Sequence, residues 1–534
     1  MNGSQKSPRW ILPGDDLKPF DASGAFQSVV DGDGGLRRLA VRGAGATMAS
    51  QGVGLAVQVI ATVVLARLLT PADFGLVTMV TTFSLLLVNF GLNGFTEAIL
   101  QRDKIDHALA SNLFWINLGA GLILTLGFAA AGSLMARFYG NPRVAHIAVG
   151  ISLTVLITST SVLPLALLMR AMQFPLVSAN DLLSRVVSVA VSVLLAWAGW
   201  GYWALVAGAI AQPLSQSIGA WILCPWVPGL PRRVPGTGSM VKFAAHVYGR
   251  FTLNYGARNM DNLLVGWRFN AVALGFYKKA YDLFALAGLA QSLTSVAVSA
   301  LSKLKQDPEQ YKRYLLRALS VAAFVGMGMG AEFTLIGKDV IRLLLGPGWE
   351  PAGQIFTFFG PGMGVMILYG IHSWIHLSIG RPDRWFRWGI IEFAFTGLLF
   401  LLALHWGPAG VAMSWSLSLC SLTIPALWYA GRPIDLRVAP MIAAIWKFAV
   451  ASVVAGCTTA AIIGGLPGFG TPPDSIAATV RMAKISVLFG VLYLTAVVVL
   501  HGGFAPLNHV ASLLREMMPS SRSAKMSPVP SAAT

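Results

Sequence analysis

The apolar positions of this chain do not recur at helical or strand spacing; they fill whole stretches. Runs at 43–66, 75–100, 111–135, 144–168, 176–198, 202–224, 242–265, 275–302, 314–336, 353–379, 388–406, 408–430, 441–465 and 481–502 are mostly apolar all round. At about 1.5 Å per residue nearly all are long enough to cross a hydrocarbon layer of about 30 Å. Short polar loops separate them. The pattern predicts an all-α polytopic membrane protein with about fourteen transmembrane helices. An open sheet cannot satisfy its backbone in lipid, and a barrel would need alternating strands that are not there. Residues 1–40 are polar, contain Gly and Asp, and lack the apolar core of a signal peptide. They are expected to form a mostly disordered cytoplasmic tail, and 506–534 a second one.

Composition agrees. Of 534 residues, 55% are hydrophobic and 11% charged, with 56 Gly, 16 Trp and a mean hydropathy of +0.66. A formal net charge of +17 would suggest nucleic acid in a soluble protein. Here the basic residues sit mainly in short loops, where they report orientation. With the N-terminus inside, the tails and the loops after even-numbered spans hold roughly 26 Lys and Arg, against roughly 10 in the other loops. Both termini are therefore expected in the cytoplasm, with no nucleic-acid partner. Arg232–Arg233, Lys303–Lys305, Lys312–Arg313 and Arg381/Arg384/Arg387 carry the bias. Cys224, Cys420 and Cys457 fall in or at the end of apolar runs without metal-ligand spacing.

The chain carries a weak internal repeat. Span one leads into Arg67-Leu-Leu-Thr-Pro-Ala-Asp-Phe-Gly75, and span seven into Arg268-Phe-Asn-Ala-Val-Ala-Leu-Gly275. Each is an Arg at a helix end, a short turn, then a Gly opening the next helix. Gln-Arg-Asp103 and Lys-Gln-Asp307 follow at similar distances. The spacing points to two six-span halves of like orientation, with two spans added at the C-terminus; chance likeness between membrane helices is the rival explanation.

Polar residues inside the spans are the candidate chemistry. Along span seven His246, Arg250, Asn254, Arg258 and Asp261 follow at steps of four, four, four and three, one stripe of a helix. A charge at mid-bilayer costs at least about 2.5 kcal/mol, so two arginines on one stripe must face protein or water. They line a cavity, or they pair with Asp261, Asp282 or Glu97 in a structural network. Span two carries Asn89, Asn93 and Glu97 at steps of four. Glu97 is either a proton-exchanging carboxylate or an interfacial side chain near the helix end. Asp181 and Arg185 form an i, i+4 pair. His372 and His376 share a face but lack a third ligand, so no metal is expected. Gly326-Met-Gly-Met-Gly330 has no βαβ context and suits close helix packing better than a nucleotide. There is no P-loop, HExxH or GxSxG, and no loop is long enough to fold into a catalytic domain. The chain is expected to be neither an enzyme nor cofactor-dependent.

The run through Leu-Ala-Arg67-Leu-Leu-Thr-Pro-Ala-Asp-Phe-Gly75-Leu, then Asn89-Phe-Gly91-Leu and Ile-Leu-Gln101-Arg102, resembles the opening of the polysaccharide-transporter branch of the MOP flippase superfamily, which includes Wzx-type flippases. The segment around Asn254, Asp261, Asn262 and Tyr277, and Leu345-Gly-Pro-Gly-Trp349, look similar too. The likeness covers about residues 40–430. It implies a MATE-like fold of two six-helix lobes, over 41–230 and 231–432, plus two helices within 433–505. It implies alternating access around a central cavity lined chiefly by helices one, two, seven and eight. The cargo it implies is an undecaprenyl-diphosphate-linked oligosaccharide, moved from the cytoplasmic to the periplasmic leaflet of a bacterial inner membrane for exopolysaccharide or O-antigen export. Polymerase and glycosyltransferase machinery would be its partners. A monomer is expected.

In that setting Arg250 and Arg258 would hold the diphosphate, with Lys278 and Lys279 adding charge near the outer mouth. Asn89, Asn93, Asn254, Asn259, Tyr248 and Tyr255 would meet sugar hydroxyls and rings. Glu97, Asp261 and Asp282 are the candidates for coupling to H⁺ or Na⁺. The alternatives are a lipid II flippase, a MATE-type multidrug antiporter and a membrane polymerase or ligase. An antiporter of cationic drugs would favour an acidic stripe, and a polymerase a large outer loop.

Overall fold

Inside hydrocarbon each backbone amide must find its partner locally, and this chain does so with helices. The computed structural model describes residues 19–21, 23–26, 33–102, 104–286, 294–465, 475–504 and 507–508. Among them no strand forms; isolated bridges join Phe20 to Phe26 and Ala25 to Asp106. The helices are α1 (Asp33–Leu68), α2 (Pro71–Gln101), α3 (His107–Tyr139), α4 (Arg143–Arg170), α5 (Phe174–Trp197), α6 (Tyr202–Leu223), α7 (Thr237–Arg268) and α8 (Ala271–Ala285). They continue with α9 (Thr294–Lys303), α10 (Pro308–Leu345), α11 (Glu350–Ser378), α12 (Pro382–Ala403), α13 (Gly407–Gly431), α14 (Val438–Gly465) and α15 (Ser475–His501).

Among the described residues ten helical stretches are long and apolar enough to cross a membrane, and one of them, Pro382–Ile434, carries both α12 and α13. The chain is a multi-pass membrane protein. Helices α6 to α9 fall short of that measure for different reasons. Gln212, Pro213, Ser215, Gln216 and Ser217 dilute α6, and charges dilute α7. The expected span at 275–302 is not one described helix: α8 and α9 flank 287–293, which lie outside the described residues.

The chain divides into two compact units. The first comprises Met1–Lys279, Leu344–Trp349 and Phe400–Val411; the second comprises Ala280–Leu343, Glu350–Leu399 and Ala412–Thr534. In the first, α4 packs against α2, α3 and α6, α5 lies between α1 and α6, and α7 lies along α2. The expected ion pair forms on α5, Arg185 Nε to Asp181 Oδ2 at 2.9 Å. In the second, α9 packs on α11 and α14 on α15. There α10 and α11 touch backbone to backbone. A Cβ on Gly326 would lie 2.4 Å from the Gly364 carbonyl oxygen, and one on Gly364 would lie 2.0 Å from that of Gly326. The Gly-Met-Gly-Met-Gly run is thus a packing surface.

Within 1–40, expected to be mostly disordered, the described residues form a tight turn and the opening of α1. Asp33 already opens α1. Upstream, Asp21 Oδ1 accepts from the Ser23 hydroxyl, the Ser23 amide and the Ala25 amide, closing a tight turn. These bonds, the Ser23 hydroxyl foremost, hold the Asp21 carboxyl below its ordinary pKa. The turn brings Phe20 edge-on to Phe26 and His107 and tilted against Trp226, and the Arg170 guanidinium sits 5.2 Å from the centre of the Phe26 ring. Two aromatics, Phe20 and Phe26, anchor what composition alone reads as a loose segment.

Candidate functional site

The first unit builds its polar interior from α2, α7 and the start of α8. Thr70 and Asp73 form a capping box that starts α2, with Pro71 in the first turn. Asn270 starts α8 in the same manner, its Oδ1 accepting from the Ala273 amide at 2.8 Å. The two helix starts then meet through the glycines of the repeat. A Cβ on Gly75 would lie 1.7 Å from the Ala271 carbonyl oxygen, and one on Gly275 would lie 1.8 Å from that of Pro71. Contact of each glycine with the residue four before its counterpart is the mark of a local two-fold relation. The repeat is therefore expressed in the structure at these positions.

Aromatic and basic groups cover the crossing. Trp349 donates its indole N–H to the Ala66 carbonyl at 2.9 Å and stands edge-on to Phe74 at 5.6 Å and to Phe276 at 5.8 Å. Lys279 is buried, with Nζ 4.1 Å from the centre of the Phe74 ring. Sequence reasoning singled out Trp349 as family-typical but assigned it no role. The signal was there: aromatics adjoin both repeat glycines, at Phe74 and Phe276.

Deeper along α2, α7 runs antiparallel to it. The Tyr248 hydroxyl donates to the Leu86 carbonyl at 3.0 Å and the Tyr255 hydroxyl to the Thr82 carbonyl at 2.9 Å. Phe90, Tyr248, Phe251 and Tyr255 follow one another ring to ring. At one end, a Cβ on Gly94 would come within 3.0 Å of the Ala244 carbonyl oxygen. At the other, Asp261 is fully buried and accepts from the Tyr277 hydroxyl and from the Asn262 amide, both at 2.8 Å. The buried Oδ1 of Asn262 finds no partner.

The predicted residues therefore fall as follows. Tyr248, Tyr255 and Asn259 lie on α7 beside α2, but the tyrosine hydroxyls are engaged with α2 carbonyls and Asn259 Nδ2 donates to its own helix at the Tyr255 carbonyl. Asn89 likewise donates to its own helix, at the Leu85 carbonyl. Glu97 is exposed near the C-terminal end of α2. Lys278 is half-buried midway along α8 beside the buried Lys279, and Asp282 lies in the second unit, half-buried. The side chains of Arg250, Asn254, Arg258 and Asn93 lie outside the described residues, although the helical backbone of α2 and α7 runs through all four positions. In the second unit the buried rings of His372 and His376 stand 6.1 Å apart. Among the described residues no three His, Cys, Asp or Glu side chains are grouped to hold a metal ion.

Comparison with known proteins fits this architecture. The chain is 24% identical to the teichuronic acid biosynthesis protein TuaB of Bacillus subtilis, over 75% of this chain and 82% of that one. It is 21% identical to the succinoglycan biosynthesis transport protein ExoT of Rhizobium meliloti, over 66% of this chain and 72% of that one. Its fold is similar to that of the lipid II flippase MurJ in an inward closed conformation, with a TM-score of 0.67 and 12% identity, covering 88% of this chain and 99% of that one. Residues 64–354, more than half the chain, match the family described as polysaccharide biosynthesis protein; the chain belongs to that family.

Proposed function

We propose that the chain is a flippase that carries undecaprenyl-diphosphate-linked oligosaccharide repeat units from the cytoplasmic to the periplasmic leaflet for surface polysaccharide export. The observation that carries this reading is the character of α7. It lies against α2 inside the first unit, yet its sequence places Lys242, His246, Arg250, Asn254, Arg258 and Asp261 along a span-length helix. A sugar diphosphate is anionic and too polar for hydrocarbon, so it needs a hydrated, positively charged path while its tail stays in lipid. Two guanidinium groups supply a positive potential that does not vary with pH. Asn254, Asn259, Asn89 and Asn93 offer amide groups to sugar hydroxyls. Tyr248 and Tyr255 present ring faces, and release of their hydroxyls from α2 would accompany opening of the path. Lys278 and Lys279 add charge at its outer end.

In this reading fourteen helices cross the bacterial inner membrane with both termini in the cytoplasm. They form two six-helix lobes and a terminal pair, and the site alternates between the two sides. The names of TuaB and ExoT support a polysaccharide cargo; the MurJ likeness supports the fold alone. Coupling to a cation falls to Asp261, whose buried carboxylate is held by Tyr277, with Glu97 and Asp282 as further acidic groups on α2 and α8. Polymerase and glycosyltransferases supply and consume the cargo.

The test is polymer export by a strain that depends on this chain, with Arg250→Ala and Arg258→Ala each brought to wild-type abundance in the membrane. Loss of one phosphate-binding charge is expected to cut export about tenfold or more in each. Full export in both removes the proposed role.

A further inference from the structure

The segment that joins α6 to α7 is strapped to α3 by side chains from one face of that helix. His107 Nε2 lies 3.0 Å from the Val227 carbonyl, Ser111 Oγ accepts from the Gly229 amide at 2.9 Å, and the Trp115 indole donates to the Gly229 carbonyl at 2.8 Å. Asn112 takes both polar groups of Arg232: its Oδ1 accepts from the Arg232 amide at 2.8 Å and its Nδ2 donates to the Arg232 carbonyl. These straps use linker backbone and leave the side chains of Arg232 and Arg233 exposed. Both arginines line a cavity of about 650 Å³ together with Asn112, Trp115, Ile116 and Val234. That is the volume of a small-ligand site.

The surroundings say what would occupy it. Trp115 and Ile116 are exposed, and the exposed apolar ridge of α3 continues from them through Leu122, Ile123 and Leu126. Those spacings are one face of a helix. Between Ile116 and Ile123 the ridge is notched at Gly119, where an added Cβ would meet nothing within 4 Å. A pair of fixed cations, an interfacial tryptophan and an apolar track leading away from them match an amphiphile with an anionic head. The site stands on the exposed ridge of α3, apart from the aromatic ladder between α2 and α7.

We propose that Arg232 and Arg233, with the Trp115–Ile116 wall and the Gly119 notch, form a binding site for an anionic phospholipid. The phosphate lies between the two guanidinium groups and one acyl chain lies along Ile116, Gly119 and Ile123. Occupancy holds the α6–α7 linker to α3 at the same membrane interface as the basic loops. The inference does not depend on the identity of the cargo.

The experiment uses the full-length protein purified in neutral detergent, with phosphatidylglycerol or phosphatidylcholine added, and native mass spectrometry to read retained lipid. Wild type is expected to retain phosphatidylglycerol in preference to phosphatidylcholine. R232Q/R233Q is expected to weaken that retention about tenfold, whereas R143Q, at an exposed arginine where α4 begins, leaves it unchanged. G119L fills the notch without altering charge, has room for its side chain, and is expected to weaken retention as well. Should R232Q/R233Q fail to fold, G119L decides alone. Equal retention of phosphatidylglycerol by wild type and both variants, or equal retention of the two lipids by wild type, overturns the proposal. So does displacement of phosphatidylglycerol by undecaprenyl diphosphate at equal concentration, which would assign the site to the cargo.

Discussion

Among the described residues α10 with α11, and α2 with α8, approach closely through glycines, and the two pairs differ in where along the helix they do it. In the second unit Gly326 and Gly364 meet deep within α10 and α11, with Gly360 and Gly330 extending the contact. In the first unit Gly75 meets the Ala271 carbonyl and Gly275 that of Pro71, which joins the opening turns of α2 and α8 just past two capped helix starts. A crossing deep in two long helices cannot part without moving both whole helices. One between helix starts can part by a small rotation of either end. The same residue type thus joins two helix middles in one unit and two helix starts in the other.

Breaking the deep crossing should have the largest effect. Gly364→Leu would drive a side chain into the Gly326 carbonyl, and overpacking at a site with no slack should cost about 3 kcal/mol or more. The expected result is little folded protein in the membrane, read by detergent-solubilised yield and thermal unfolding. Gly275→Ala is a gentler change at the other crossing. It should leave the protein folded while separating the α2 and α8 starts, read as a longer distance between spin labels at Ala72 and Val272. Equal loss of folded protein from both substitutions would erase the contrast. Trp349→Phe keeps the aromatic contacts to Phe74 and Phe276 but removes the N–H that reaches Ala66. It should cost about 1 kcal/mol in thermal unfolding.

The smallest effect belongs to the N-terminal turn. Its Asp21 pKa is depressed in the folded turn, so the stabilisation is present above the ordinary carboxylate pKa. It is lost only as pH falls through the lowered folded value. Hydrogen exchange at the Ala25 amide should therefore show protection kept at mildly acidic pH and lost at more acidic pH. Asp21→Asn should remove the pH dependence.

The helices were legible because burial in lipid demands continuous apolar runs, and every expected span falls on one or more helices. The α5 ion pair was legible from a spacing of four. The repeat was legible as Arg67-to-Gly75 and Arg268-to-Gly275, though not that each glycine would meet the residue four before its counterpart. Contacts between distant segments leave no local pattern: nothing around Trp349 says that its indole will reach Ala66. Nor did composition show that Phe20 and Phe26 would dock part of a polar tail onto His107 and Trp226. The tyrosines were read as groups for sugar hydroxyls and rings; that their hydroxyls reach α2 was not legible, because α2 carbonyls become acceptors only once the two helices pack.

The central claim is that the polar stripe of α7 borders a wet, positively charged passage. The most direct measurement is labelling of Asn254→Cys by a membrane-impermeant thiol reagent, in a chain whose Cys224, Cys420 and Cys457 are replaced. Val453, exposed on α14, changed to Cys serves as the lipid-facing control. The account predicts that position 254 labels readily, that added lipid-linked sugar diphosphate protects it, and that position 453 stays unlabelled. A position 254 as inert as 453 would contradict it.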